Sequence, residues 1–131
     1  MLLTLLTTTL LTTMKLTKTQ RLILYSLGQF YKSINQPLEE KPVRLRTSKI
    51  AFIELILESD IITKQERALY KNLETLEEKK LIAYENKMIK FTEKGLRILE
   101  KINKEISQFT GIEKYFKEKK PKRKLQTVIN G

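Results

Sequence analysis

The sequence predicts a mainly α-helical fold with one small β-hairpin, in the order helix, strand, helix, helix, hairpin, helix. Apolar residues recur at helical spacing over residues 19–34, 63–79 and 93–109. Two short β-prone runs, residues 81–84 (LIAY) and 88–91 (MIKF), flank the polar tripeptide Glu85-Asn86-Lys87. The three prolines, Pro37, Pro42 and Pro121, all fall outside these segments. A chain of 131 residues has room for one domain with a modest core.

Taken in order, residues 1–14 (MLLTLLTTTLLTTM) carry Leu, Thr and Met and no charge. They are too short to span a bilayer, which takes about 20 apolar residues, and lack the basic start and small-residue cleavage site of a signal peptide. Met14 opens a more ordinary sequence, so translation is expected to start there, with residues 1–13 an upstream extension or a disordered tail. Thr17 or Thr19 is placed to cap a first helix to about residue 33, with Ile23, Leu27, Phe30, Tyr31 and Ile34 on one stripe. The linker NQPLEEKP follows, and Val43-Arg44-Leu45-Arg46 alternates as a short strand does. Thr47 or Ser48 starts a second helix to about residue 58, whose IAFIELIL segment is apolar almost all round and should be buried, with a strand as the competing reading.

Thr63 and Glu66 have capping-box spacing, which starts the third helix at Thr63 and carries it to about residue 79. A tight hairpin fits residues 81–91, with Asn86 best able to take a positive φ. Thr92 caps a fourth helix over residues 93–109, and Gly111 marks its end. Residues 15–112 then make up the domain. Residues 113–131 are a basic tail, in which Lys119, Lys120, Lys122, Arg123 and Lys124 suit a phosphate backbone or serve only solubility.

Three helices followed by a two-stranded wing give the winged helix-turn-helix order. L-x-x-L-E-x-x-K-L-I (residues 73–82), followed by F-T-E-K-G-L-R-I-L-E (residues 91–100), resembles the end of the recognition helix, the wing and the next helix of MarR- and PadR-like regulators. The resemblance implies a transcriptional regulator that binds double-stranded DNA through its third helix. It also implies a homodimer formed through terminal helices. In two respects the chain departs from those families. Lys80 stands where they typically carry Gly, so the turn after the helix is not expected to use left-handed geometry. The wing tip, read as three residues, is short for deep insertion into the minor groove.

On the third helix, Leu69, Leu73 and Leu76 point within about 60° of one another, toward a core. Lys64, Arg67 and Lys71 cluster roughly opposite, with Ala68 and Thr75, while Glu74 and Glu78 join that face only in the C-terminal half. Such a helix can enter a major groove N-terminus first, with its carboxylates held away. Arg67 suits a bidentate contact to guanine, Lys64 and Lys71 suit phosphate, and Gln65 or Asn72 suits adenine. Arg44, Arg46, Lys87 and Lys90 are further phosphate candidates, and the plain alternative for each is a solvated surface cation. In the fourth helix, Ile102, Ile106 and Phe109 suit either a partner helix or packing on the first helix.

The chain carries 26 basic against 15 acidic residues, a formal +11, with no His, Cys or Trp. No zinc finger, disulfide framework or Cys–His or Ser–His pair is possible. The glycines are too scattered for a phosphate loop, so no cofactor, metal site or enzymatic activity is expected. A cytoplasmic protein without membrane association is expected. Residues 48–80 hold six basic and seven acidic residues, whereas 15–47 and 113–131 each hold seven basic and two acidic. The excess charge therefore suits anchoring, and any reading of sequence rests on a few residues of the third helix. The competing reading is a winged-helix interaction module in a replication, transcription or RNA-processing assembly. RNA binding is a third reading, with Tyr70, Tyr84, Tyr115 and Phe116 as stacking candidates.

Overall fold

The computed structural model describes residues 15–35 and 46–119. The expected extension at 1–14, residues 43–45 of the expected strand and the tail beyond residue 119 lie outside them. Among the described residues the fold is four helices and a two-stranded antiparallel hairpin: α1 (Lys18–Asn35), α2 (Lys49–Ser59), α3 (Glu66–Glu78), β1 (Ile82–Glu85), β2 (Met88–Phe91) and α4 (Glu93–Glu118).

One apolar core joins all six elements. Ile23, Leu24 and Leu27 enter it from α1, Phe52, Ile53 and Ile56 from α2, and Leu69, Leu73 and Leu76 from α3. Leu81, Ile82 and Ile89 come from the hairpin region and Ile102 from α4. Each such side chain stabilises the fold by about 1.5–3 kcal/mol through removal from water. Thr17 and Gln20 form the reciprocal cap of α1. The Gln20 amide donates to Thr17 Oγ1 at 3.2 Å, and the Thr17 amide donates to Gln20 Oε1 at 3.1 Å. Ser48 caps α2, accepting from the Ala51 amide at 3.2 Å.

The start of α3 differs from expectation. Ile62, in the turn after α2, sinks into the core at 7% exposure, and the Lys64 amide folds back onto the Ile62 carbonyl at 2.9 Å. The chain then passes through extended Gln65, whose side chain makes no capping bond, and the helix begins at Glu66. Tertiary burial of Ile62 outweighs the Thr63–Glu66 cap, which does not form.

The other end of α3 closes in a full Schellman motif. The Leu81 amide donates to the Leu76 carbonyl (3.0 Å), and the Lys80 amide donates to the Glu77 carbonyl (2.9 Å). Lys80 itself sits at φ 61°, so the left-handed turn forms without Gly, contrary to the sequence expectation. The buried Leu76–Leu81 pair holds the lysine in a conformation disfavoured by about 1–2 kcal/mol. Lys80→Gly is accordingly expected to stabilise the protein by about 1 kcal/mol, read as a higher urea midpoint at unchanged slope.

The hairpin pairs Ile82 with Phe91, Ala83 with Lys90, Tyr84 with Ile89 and Glu85 with Met88. Its tip is two residues, Asn86 and Lys87, rather than three. Both have positive φ (54° and 65°), as a type I′ turn requires. Tyr31 ties this hairpin to α1: its hydroxyl donates to the Ile89 carbonyl and accepts from the Thr47 amide (3.3 Å). The Ile89 amide in turn donates to the Thr47 carbonyl at 2.8 Å, so the chain entering α2 lies against β2. Burial raises the Tyr31 titration above its usual 10.0. The folded state thus keeps the Tyr31 proton where the unfolded chain loses it. The Tyr31 contribution is full below about pH 10 and is lost as pH rises beyond that. Tyr31→Phe is expected to cost about 1–2 kcal/mol at neutral pH and to flatten the alkaline stability loss, both measurable by urea unfolding across pH.

Helix α4 runs through Gly111 to Glu118 instead of stopping near residue 109. Thr92 caps it, accepting from the Gly95 amide at 3.0 Å. A Glu113–Lys117 pair at 2.8 Å supports its last turns. The expected tail therefore begins as helix. No helix among the described residues is long and apolar enough to cross a membrane.

Candidate nucleic-acid interface

Packing decides which side of α3 faces out. Leu69, Leu73 and Leu76 are fully buried, which turns Arg67, Lys71, Glu74 and Glu78 to solvent. Lys64 and Gln65 are exposed in the segment leading into the helix. None of Lys64, Arg67 and Lys71 takes part in the ion pairs found among the described residues. Gln65 supplies no side-chain cap, so the first-turn amides of α3 have no side-chain acceptor from that position.

Two residues expected at the DNA, Asn72 as a reader of adenine and Ala68 as part of the exposed face, are placed differently. Asn72 is half-buried, and its side-chain amide donates to the Ala68 carbonyl at 2.8 Å, one turn back in its own helix. Ala68 is half-buried as well. Exposed polar groups at the start of α3 therefore come from Lys64, Gln65, Glu66, Arg67 and Lys71, with the Glu66 carboxylate in the first turn.

Strand alternation places Ala83, Glu85, Met88 and Lys90 on the face of the hairpin away from buried Ile82 and Ile89. Glu85 holds two of the expected phosphate-binding cations, Lys90 at 2.7 Å and Arg46 at 3.8 Å. The hydrogen bond and charge of Lys90, then the charge of Arg46, hold its carboxyl below the usual range. Solvent screens such exposed pairs, so they hold the two cations only weakly. Lys87 at the tip is exposed and joins none of these pairs. Arg44 lies outside the described residues.

Sequence reasoning missed three charged side chains in this region. Glu85 as a shared counter-ion depends on hairpin register. Lys49 sits 3.9 Å from the centre of the Tyr84 ring and pairs with Glu77 at 3.4 Å, bracing α2 against α3 and the hairpin. Lys79 reaches back from the end of α3 to Gln20 Oε1 (3.2 Å) and the Lys15 carbonyl (3.0 Å), fixing α3 against the start of α1.

The proposed partner-helix residues divide between inside and outside. Ile102 is buried at 7% exposure in the chain's own core, and Ile106 packs against that core, so Ile102 is unavailable as a dimer contact. An Arg21–Glu105 ion pair at 2.6 Å closes this part of α4 onto α1. Phe109, at 67% exposure, lies in an open stretch that runs from Ser107 to Lys119. Of the tail cations, Lys119 is described and exposed; Lys120, Lys122, Arg123 and Lys124 lie outside the described residues. No family model, curated protein or solved structure matches the chain.

Proposed function

We propose that the protein is a winged helix-turn-helix regulator that binds double-stranded DNA sequence-specifically, with α3 in the major groove and the hairpin as its wing. The observation that carries this reading is the polarity of the exposed α3 face. Arg67 and Lys71, which join no ion pair among the described residues, lie in its first two turns and Glu74 and Glu78 lie beyond them. The first-turn Glu66 lies about 100° round the helix from Arg67. A helix entering a groove by its N-terminus needs cations at that end and carboxylates away from phosphate. Support also comes from the order of elements around α3, with α2 before it, the hairpin after it and the Thr47 carbonyl bonded to β2. In this reading Arg67 contacts a base edge, Lys64 and Lys71 contact phosphate, and Arg46, Lys87 and Lys90 contact the backbone beside the wing. A two-fold homodimer would read two half-sites about one DNA turn apart.

A second reading, an interaction module within a larger assembly, is favoured by one specific observation: α2 exposes Ile50, Leu55 and Leu57 instead of burying its apolar segment all round. Selection from a random duplex pool, followed by a salt titration of the enriched sequence, tests the first reading. The expected result is a palindromic consensus whose log K falls against log salt by about 0.9 per phosphate contacted. Absence of any enriched sequence would overturn the regulator reading in favour of the interaction module.

A further inference from the structure

Two exposed apolar stripes of the chain have matching length and opposite charge. On α2 and the turn after it, Ile50, Leu57 and Ile61 are exposed at 63%, 37% and 77%. Their neighbours Glu54, Glu58 and Asp60 are exposed and make no ion pair among the described residues. In the outer part of α4, Phe109, Ile112 and Phe116 are exposed at 67%, 59% and 72%, with Lys114 and Lys119 around them and Lys117 in an ion pair with Glu113. Glu113 is engaged by Lys117, and Glu118 is the one other acid of that segment. Residues 113–131 hold seven basic and two acidic residues. Ile50 and Leu57 are seven residues apart, as are Phe109 and Phe116. Each pair therefore spans about 10 Å along its helix on nearly one line.

From this match we infer that the outer part of α4 of one copy docks on the α2 face of a second copy, burying the two stripes together with acids against lysines. Past Ile106, every α4 residue is exposed, so this stretch extends about 20 Å beyond its last core contact. Each copy carries both a docking helix and a receiving face. Two copies that exchange helices bury both stripes twice and close on a two-fold axis. The carboxylates of the α2 face repel phosphate, so this surface and the α3 face serve different partners. The inference concerns the chain without DNA and stands independently of the regulator reading.

The test is light scattering and sedimentation of the full chain without DNA. Wild type is expected to dimerise, more tightly as salt is lowered. Ile50→Asp with Ile61→Asp removes the receiving face, and Ile112→Asp with Phe116→Asp removes the docking helix. All four positions are exposed, and far-UV circular dichroism confirms folding of each variant. Each double variant alone is expected to associate about tenfold or more weakly than wild type. Mixed together they should form a heterodimer, because one intact face then meets one intact helix. Wild type monomeric at all concentrations overturns the inference. So does an α2 variant that dimerises like wild type while the α4 variant does not, which shows α4 pairing with α4. Duplex binding is scored separately, so its loss or retention leaves this result readable.

Discussion

Gly95→Ala is expected to destabilise the protein by about 3 kcal/mol or more, a large share of the 5–15 kcal/mol typical of a small domain. A Cβ built at this position lies 1.9 Å from the Leu81 carbonyl oxygen and 2.8 Å from its carbon. Backbone cannot swing aside as a side-chain tip does. The Leu81 carbonyl also accepts the Thr92 amide at 3.1 Å, and Thr92 Oγ1 donates to the Lys80 carbonyl at 2.6 Å. Relief of the clash must therefore break the cap of α4 or the junction after α3. Gly111→Ala is the matched control in the same helix, where an added Cβ meets nothing within 4 Å. There the change is expected to stabilise by about 0.5–1 kcal/mol, since Gly in a helix interior costs that much relative to Ala. Urea unfolding of both variants should give shifts of opposite sign. A Gly95→Ala midpoint equal to wild type would show that the contact relaxes freely.

The second large effect concerns binding. Arg67→Glu combined with Lys71→Glu is expected to abolish specific duplex binding, because two cations on the exposed α3 face become carboxylates against phosphate. Single substitutions separate the roles. Arg67→Ala should lose about 1–3 kcal/mol and relax preference at one base position. Lys71→Ala should weaken all sequences alike and reduce the salt slope by about one contact. Both residues are exposed and join no ion pair among the described residues, so thermal stability should change little. Binding by the double reversal at wild-type strength would exclude this face as the groove surface.

Periodicity made the first, third and fourth helices and the hairpin readable, but element ends were decided by tertiary packing. Thr63 and Glu66 satisfy a local capping rule, yet Ile62 is drawn into the core and the helix starts after it. Gly111 is a common stop signal. A single Gly costs only about 1 kcal/mol, however, and the residues around it favour helix as far as the approach to Pro121. Lys80 and Lys87 occupy left-handed positions that sequence assigns to Gly or Asn, because buried Leu81 and the hairpin register hold them there. On α2 an apolar run all round gave no phase from which to tell inside from outside, so the exposure of Ile50 and Leu57 was invisible.

The candidate site divides in the same way. Cations on the α3 face follow from a helical period and the position of three leucines. The engagement of Arg46 and Lys90 by Glu85 follows only from strand register and from the approach of the chain before α2. Asn72 suits adenine by the chemistry of its side-chain amide although it lies to the side of the cationic face, and that amide donates to the Ala68 carbonyl.

The contact at Gly95 makes a joint with no play. The start of α4, the Leu81 carbonyl and the end of α3 meet backbone against backbone, without a side chain to act as cushion. Helix α4 spans 26 residues, about 39 Å, and this joint fixes its start. Ile102, Ile106 and the Arg21–Glu105 pair hold its first half to the core and α1, and the rest projects as an arm. A load on its exposed end is therefore shared between the α1 contacts and the Leu81 joint at the end of α3.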